Sequence, residues 1–282
     1  MLANGGCNMY KGYIEIHEND EKYSTLYNDT SFNTYDCLTN QYILVKNDEG
    51  NLVDRLRWSG NKYEHLSYKQ INNSYIGKIR PLNPQQELSF DLLQNKEITV
   101  KVLTGRFGSG KTYLMVAHAL QLISDGKFDK IIWVRNNQEV KDTRAIGALP
   151  GEAFDKLLPF AMPLADHCGG RDGLEYLIKQ DKVNIEHLGW IRGRSFENAI
   201  VMCSEAENLT RQHAQLLLGR IGKGSNLWLD GDVKQTDSKI FEDNNGLNAT
   251  ITHLKGHRLF GYVNLEKSER SETAALADLL DE

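Results

Sequence analysis

The stretch Gly105-Arg-Phe-Gly-Ser-Gly-Lys-Thr112 decides how the rest of this chain is interpreted. It has the pattern G-x-x-x-x-G-K-[ST], in which glycines let successive backbone N–H groups turn inward and form an anion nest. The apolar segment Ile98–Leu103 precedes the stretch, and Lys111–Ile123 follows it with apolar residues at helical spacing. A strand, a glycine-rich loop and a helix in this order predict that phosphate binds at the positive N-terminal end of the helix.

Each part of this P-loop has an expected role in binding ATP and magnesium. Lys111 supplies a positive charge for the β- and γ-phosphates, and the Thr112 hydroxyl is a ligand for Mg²⁺. A chance glycine-rich turn is the alternative, but the flanking strand and helix argue against it. The residues expected to line the nucleotide site are Gly105, Gly108, Ser109, Gly110, Lys111, Thr112 and Tyr113.

Two further apolar segments are followed by polar side chains. Ser204 and Glu205 follow Ala199–Cys203, and Glu205 is the candidate general base for an attacking water. Gln235 follows Asn226–Asp230, and a neutral amide near the γ-phosphate can orient water. The alternatives are an exposed glutamate at a helix start and a simple Gly-Asp turn. Asp232, in that turn, is a candidate to support the site indirectly.

The composition of the chain changes near Pro81. Residues 1–80 are rich in Asn, Tyr, Asp and Ser, and segments such as Tyr42–Lys46 and Leu52–Leu56 predict strands of a small β-rich domain. In residues 81–282, strands and helices alternate, beginning with a helix predicted at Pro84–Leu93. This alternation predicts an α/β fold with a parallel sheet covered by helices on both faces.

Composition sets limits on the class of protein. The 282 residues are 40% hydrophobic and 25% charged, which is ordinary for a globular protein. The formal net charge is −5, and this acidic balance counts weakly against nucleic-acid binding. The four cysteines have no C-x-x-C spacing, so neither a zinc ribbon nor a thioredoxin-type site is indicated. No leader peptide or membrane span is recognised, so a cytoplasmic location is expected.

Several short blocks, taken in order, resemble the PhoH-like P-loop ATPases, relatives of superfamily 1 helicases. The blocks are Asn83–Gln86, the P-loop, Leu149–Gly151, Ile191–Ser195, Glu205–Thr210, Gly231–Gln235, Asn245–Leu247 and Lys267–Ser271. The resemblance runs from about Gly12 to Leu280 and implies a RecA-like P-loop NTPase fold. It is closest to the long branch of the family, in which a PIN nuclease domain and a small β domain precede the ATPase. Residues 1–80 resemble the small β domain alone, so nuclease activity is not expected.

The resemblance also implies roles for single residues. Gln86 resembles the glutamine that reads the adenine edge, although an exposed helix residue is the alternative. Arg270 resembles an arginine that stabilises the γ-phosphate, in cis or from a neighbouring subunit. Arg194 and Arg220 also occupy family arginine positions and are alternative arginine fingers, and for each of the three a surface salt bridge is the competing interpretation.

One position departs from the family pattern. The family has Asp-Glu-Ala-Gln where this chain has Ser204-Glu-Ala-Glu207, so the aspartate that normally holds magnesium is a serine. Ser204 can accept a hydrogen bond from a metal-bound water but brings no charge, and Glu207 is a candidate to compensate. The metal residues expected are Thr112, Ser204 and Glu205, with metal affinity weakened by ~1–3 kcal/mol and slower turnover.

The resemblance implies coupling to RNA or single-stranded DNA in a homo-oligomer such as a hexameric ring. Trp133 and Trp190, each close to arginines, are candidates for stacking bases, or else core aromatics. One interpretation is that the small β domain binds single strands as an OB-type barrel does. The other is that it is an assembly surface. Two functions remain open at this point: an ATPase acting on nucleic acid, and a nucleotide-gated binding module with weak or no hydrolysis.

Overall fold

A computed structural model describes residues 9–135, 158–233, 235 and 239–269. Its centre is a six-stranded parallel sheet, flanked by a four-stranded sheet and a two-stranded hairpin. The strands are β1 (Tyr13–His17), β2 (Tyr42–Lys46), β3 (Leu52–Trp58), β4 (Tyr63–His65), β5 (Ile71–Asn73), β6 (Gly77–Ile79), β7 (Val100–Gly105), β8 (Lys130–Arg135), β9 (Val183–His187), β10 (Ala199–Cys203), β11 (Asn226–Gly231) and β12 (Phe260–Leu265).

The helices are distributed between the small sheet and the central sheet. They are α1 (Tyr23–Asn28), α2 (Pro84–Gln94), α3 (Lys111–Ser124), α4 (Met162–Ala165), α5 (Gly170–Lys179), α6 (Arg211–Leu218), α7 (Lys239–Asp243) and α8 (Gly246–Leu254), with 3-10 turns at Leu158–Ala161, Leu188–Trp190 and Ala206–Asn208. Helix α2 begins where the sequence predicts, because the Asn83 side chain accepts a hydrogen bond from the Gln86 N–H at 3.0 Å.

The central sheet has the strand order β12-β7-β11-β10-β8-β9, and every neighbouring pair is parallel. Successive residues of a strand face opposite sides, so Val102 and Leu103 of β7 belong to two different hydrophobic cores. Helices α2, α3 and α5 cover one core, while α6 and α8 cover the other. The predicted α/β fold with helices on both faces is confirmed.

The strands β1 to β4 form a mixed sheet in sequence order, with β1 parallel to β2 and the other pairs antiparallel. Within the described residues this sheet is open, so it is not the closed OB-type barrel. It packs directly on the central unit: Tyr42 donates to the buried Asp91 of α2 at 2.9 Å, and Asn40 donates to the Phe260 carbonyl at 2.9 Å. The division into a small domain at 1–80 and an ATPase domain at 81–282 stays a prediction.

Strand β7, which leads into the P-loop, contains a lysine with unusual surroundings. Lys101 is fully buried, and its Nζ donates to the Leu93 and Asn95 carbonyls at the end of α2, each at 2.7 Å. Burial lowers the pKa of Lys101 to about 7, against a smaller opposing effect of the Asp91 charge. His118 also lies close, but burial lowers its pKa to about 4, so it is neutral at pH 7.

We expect Lys101 to make the free energy of unfolding rise with pH above about 7. The unfolded lysine keeps its proton up to its ordinary pKa of 10.5, so the unfolded state binds more protons between the two values. The slope from this residue approaches about 1.4 kcal/mol per pH unit. Denaturant melts of the wild-type protein and of Lys101→Met between pH 7 and pH 9.5 measure it. The difference in stability, wild type minus variant, should grow with pH, and a constant difference would contradict the prediction.

Candidate nucleotide site

The P-loop connects β7 to α3 as the sequence predicts, and two of its glycines are needed for different reasons. Gly110 precedes the first residue of α3 with a left-handed φ of 88°, which side chains rarely adopt. Gly105 lies so close to β12 that a Cβ there would overlap the Leu265 carbonyl. Gly108 also has a positive φ, of 74°. The loop is therefore fixed between the start of a helix and a neighbouring strand.

Gln86 is buried beneath the P-loop. Its side-chain oxygen accepts from the Leu82 N–H at 2.9 Å, and its amide nitrogen donates to the Ser109 carbonyl at 3.3 Å. The alternative of an exposed helix residue is therefore wrong. Gln86 supports the loop from below in this arrangement, while its expected contact with the adenine edge stays a prediction.

The chain after β12 also contacts the P-loop. Ser268 donates through its hydroxyl to the Phe107 carbonyl at 3.2 Å, and the Glu269 N–H donates to the Gly108 carbonyl at 3.0 Å. The Glu269 carboxylate in turn accepts from the Asn83 side chain at 2.9 Å. Three blocks that are far apart in the sequence thus meet at the phosphate loop. Arg270, the predicted finger, lies outside the described residues.

The P-loop hydroxyl has an acidic partner that sequence analysis missed. Thr112 Oγ1 donates a hydrogen bond to Asp230 Oδ2, near the end of β11, and Asp230 is 2% exposed. Burial raises the pKa of Asp230, whereas hydrogen bonds from Thr112 and Ser204 and the charge of Lys111 lower it. The sequence signal for this contact is weak, because Asp230 is only a carboxylate at the end of an apolar segment. That position predicts a strand residue and does not indicate a partner in the P-loop.

Glu205 lies just beyond β10, where the sequence predicts the general base. Its backbone has a left-handed φ of 54°, a conformation that non-glycine residues adopt rarely and that is frequent at functional sites. Its carboxylate forms an ion pair with Arg135 at the end of β8. Glu205 is also the N-cap residue of the 3-10 turn Ala206–Asn208, and its side chain is 40% exposed and makes no cap hydrogen bond. It therefore does lie at a helix start, as the alternative interpretation has it, and its role as general base stays a prediction.

Glu207, the candidate to replace the missing aspartate, is directed elsewhere. It is buried, and its carboxyl accepts from the Asp232 N–H at 3.2 Å. Burial, with smaller effects of Asp230 and Glu205, raises the pKa of Glu207 to about 8. In the described residues, the carboxyl group that contacts Thr112 belongs to Asp230 and not to Glu207.

The remaining predicted residues lie around this centre. Gln235 is half-buried and its N–H donates to the Asp232 carbonyl at 3.3 Å, while Tyr113 has its ring 5.4 Å from that of His167. Arg194 forms an ion pair with Glu186 at 2.5 Å, and Arg220 donates to the Arg194 carbonyl at 3.2 Å. The contacts of these two arginines are with nearby protein groups, and an arginine-finger role for either one stays a prediction.

The residues at the loop fit a magnesium–nucleotide complex. Mg²⁺ prefers oxygen ligands and usually keeps several waters, so it needs few protein groups. Thr112 and Asp230 supply such oxygens, and Asp230 Oδ1 is buried with no hydrogen-bond partner in the part of the chain that the structure describes. Among the described residues, no group of three or more His, Cys, Asp or Glu side chains is placed to hold a metal ion by itself.

Comparisons with known proteins agree with this geometry. The family model described as "PhoH-like protein" matches residues 78–278. Protein PhoH2 of Bacillus subtilis is 33% identical over 96% of this chain and 64% of its own length. Protein PhoH2 of Mycolicibacterium smegmatis is 31% identical over 72% of this chain and 48% of its own length, and Protein PhoH of Escherichia coli is 32% identical over 48% and 39%.

This chain spans less than two thirds of the length of each of these relatives. None of the described helices is long and apolar enough to cross a membrane. The P-loop, the parallel sheet and the family model, which covers most of the residues, all lead to the same assignment. The chain belongs to the PhoH-like protein family.

Proposed function

We propose that this protein binds ATP with magnesium and hydrolyses it, and that hydrolysis is coupled to the binding or unwinding of RNA or single-stranded DNA. The observation that supports the ATPase best is the hydrogen bond from the P-loop hydroxyl of Thr112 to the buried Asp230. A P-loop hydroxyl and an aspartate are the pair that holds Mg²⁺ in P-loop enzymes. Bound Mg²⁺ supplies positive charge that offsets the charge of the phosphate oxygens.

The chain's own residues have distinct parts in this reaction. Lys111 and the loop amides bind and orient the phosphates. An oxygen of water forms a bond to the γ-phosphorus while the bond to the bridging oxygen breaks, and ADP leaves with that electron pair. Glu205 accepts the proton of the water, and its ion pair with Arg135 holds the carboxylate at the carboxyl ends of the strands β8 and β10. Gln235 orients the water.

The second candidate is a nucleotide-gated binding module that hydrolyses ATP weakly or not at all, and Ser204 in place of the family aspartate favours it. Phosphate release from ATP, measured with and without single-stranded RNA or DNA, separates the two functions. Release above that of Lys111→Ala, increased by the polymer, supports the coupled ATPase. Nucleotide binding with no release above this variant would instead support the module.

The proposal of nucleic-acid binding is supported by an exposed aromatic residue. Trp190 is 56% exposed, its ring lies 5.4 Å from that of His187, and Arg192 and Arg194 next to it are exposed. Aromatic faces with nearby guanidinium groups suit stacked bases and phosphates. Trp133 does not share this role, because it is fully buried and donates to the Phe160 carbonyl at 3.2 Å.

We expect Trp190→Ala to weaken binding of single-stranded RNA or DNA roughly 5- to 150-fold, since stacking on an aromatic side chain is worth about 1–3 kcal/mol per base. Fluorescence anisotropy of a labelled oligonucleotide measures this effect. Tyr176→Ala is the matched control, because Tyr176 is 57% exposed but lies on α5. Equal binding by both variants and the wild type would remove Trp190 from the proposed interface.

The proposal extends to assembly. A homo-oligomeric ring such as a hexamer would allow an arginine of one subunit to reach the γ-phosphate of its neighbour. Arg194, Arg220 and Arg270 are the candidates for this contact.

A further inference from the structure

An acidic residue that is missing from one strand is present on the strand beside it. The family places an aspartate directly after β10, where this chain has Ser204. Strand β11 lies between β10 and the P-loop strand β7, and it carries Asp230. Because Asp230 is one strand closer to β7, a carboxylate at this position reaches the first turn of α3 directly.

Two hydrogen bonds and one unpartnered oxygen define the surroundings of Asp230. One carboxyl oxygen accepts from Thr112 Oγ1, and the Ser204 side chain also makes a hydrogen bond to the carboxyl group. The other oxygen, Oδ1, is buried with no hydrogen-bond partner among the described residues. A buried carboxylate oxygen without a partner costs free energy, so its presence beside the P-loop points to a ligand that completes it.

Two other carboxyl groups near the P-loop contact other partners. Glu205 forms an ion pair with Arg135, and Glu207 accepts from the Asp232 backbone. We propose that Asp230 is the acidic residue that, together with Thr112, holds the magnesium ion of bound MgATP, and that it replaces the aspartate missing at position 204. This inference rests on the proposed function.

This exchange, in which an aspartate at position 230 replaces the one missing at position 204, also explains why Ser204 and Asp230 occur together. The Ser204 hydroxyl stabilises the Asp230 carboxylate through a hydrogen bond. An aspartate at position 204 would bring a second negative charge against the first, and two carboxylates that share a site disfavour each other's ionised form. A single carboxylate is therefore expected at either position 204 or position 230, and Ser204→Asp alone should not improve the site.

The test measures the binding of a fluorescent, non-hydrolysable ATP analogue as a function of Mg²⁺ concentration and in EDTA. Asp230→Asn keeps the shape of the side chain and removes its charge. It should need about 10- to 100-fold more Mg²⁺ for the same gain in affinity. In EDTA it should bind the analogue at least as tightly as the wild type, because a charge that repels the phosphates is gone.

The controls separate this role from a structural one. Asp91→Asn removes the charge of another buried aspartate, far along the chain in α2, and should leave the Mg²⁺ requirement unchanged. A folded Asp230→Asn with the wild-type requirement, or with equally weakened binding in both conditions, would overturn the inference. A wild type that binds the analogue without any effect of Mg²⁺ would overturn the magnesium-dependent function itself.

A double variant tests the exchange between strands. Ser204→Asp with Asp230→Asn returns the carboxylate to β10 and should bring the Mg²⁺ requirement back toward the wild-type value. It is also the deciding measurement if Asp230→Asn alone does not fold. A folded double variant that needs 10- to 100-fold more Mg²⁺ than the wild type would contradict the exchange.

Discussion

Lys111→Ala is expected to reduce phosphate release from ATP to background and to weaken nucleotide binding roughly 10- to 100-fold. A hydrogen bond to a charged group contributes about 1.5–3 kcal/mol, and in the proposed function the lost charge is the one that binds the phosphates. The fold should survive, because the Lys111 ammonium lies 3.5 Å from the Arg106 carbonyl and 5.5 Å from the centre of the exposed Phe107 ring. Neither contact involves the hydrophobic core, so losing both should not unfold the protein.

The measurement is a coupled phosphate assay together with titration of a fluorescent ATP analogue. Lys127→Ala is the matched control, since Lys127 is exposed in the turn after α3, at the other end of that helix from the P-loop. It should behave as the wild type in both assays. Hydrolysis by Lys111→Ala at the wild-type rate would show that the observed activity does not come from this loop.

Glu205→Gln is expected to separate binding from hydrolysis. Removal of a general base costs about 10²- to 10⁴-fold in rate, while ATP affinity should change little because the base acts on water and not on the phosphates. The amide keeps a side-chain oxygen toward Arg135, so the left-handed turn at position 205 should persist. A variant that holds ATP for long periods without releasing phosphate is the predicted outcome.

Single-turnover phosphate release and nucleotide retention on a filter measure the two quantities. Glu197→Gln removes another carboxylate close to β10, on the exposed segment before that strand, and should have no effect. If Glu205→Gln hydrolysed ATP as fast as the wild type, another residue would be the base. Loss of ATP binding together with hydrolysis would instead assign Glu205 to the metal or to the structure of the loop.

The fold was largely predictable from local patterns. The P-loop, the capped start of α2 and the apolar strands each depend on residues that are neighbours in the sequence, and their limits agree closely with the structure. The strands β4, β5, β6, β9 and β12 were not predicted. Strand β9 is short and half-buried at the edge of the sheet, and β12 follows a turn after α8 without a motif of its own. Their identity as strands depends on pairing with β8 and β7.

Only part of the candidate site could be predicted, because some of its residues belong to a sequence motif and others depend on contacts between distant segments. Lys111 and Thr112 belong to one loop whose spacing carries the chemistry. Glu205 was predicted from its place after an apolar strand, and its role as general base stays a prediction. The position of Gln86 under the loop, and the contacts of Ser268 and Glu269 with it, depend on packing between distant segments. The ion pair of Arg194 with Glu186 fits the competing interpretation of a surface salt bridge, whereas the contact of Arg220 with the Arg194 carbonyl was not predicted.

By itself the sequence determined that this protein has a phosphate-binding loop at residues 105–112 within an α/β fold, because glycine conformation and helix polarity act over a few residues. It also showed that Ser204 occupies the position where the family pattern has an aspartate. The tertiary structure decided which carboxylate meets Thr112. Strand order is set by long-range pairing, and it is this order that brings Asp230, more than a hundred residues away in the chain, against the first turn of α3.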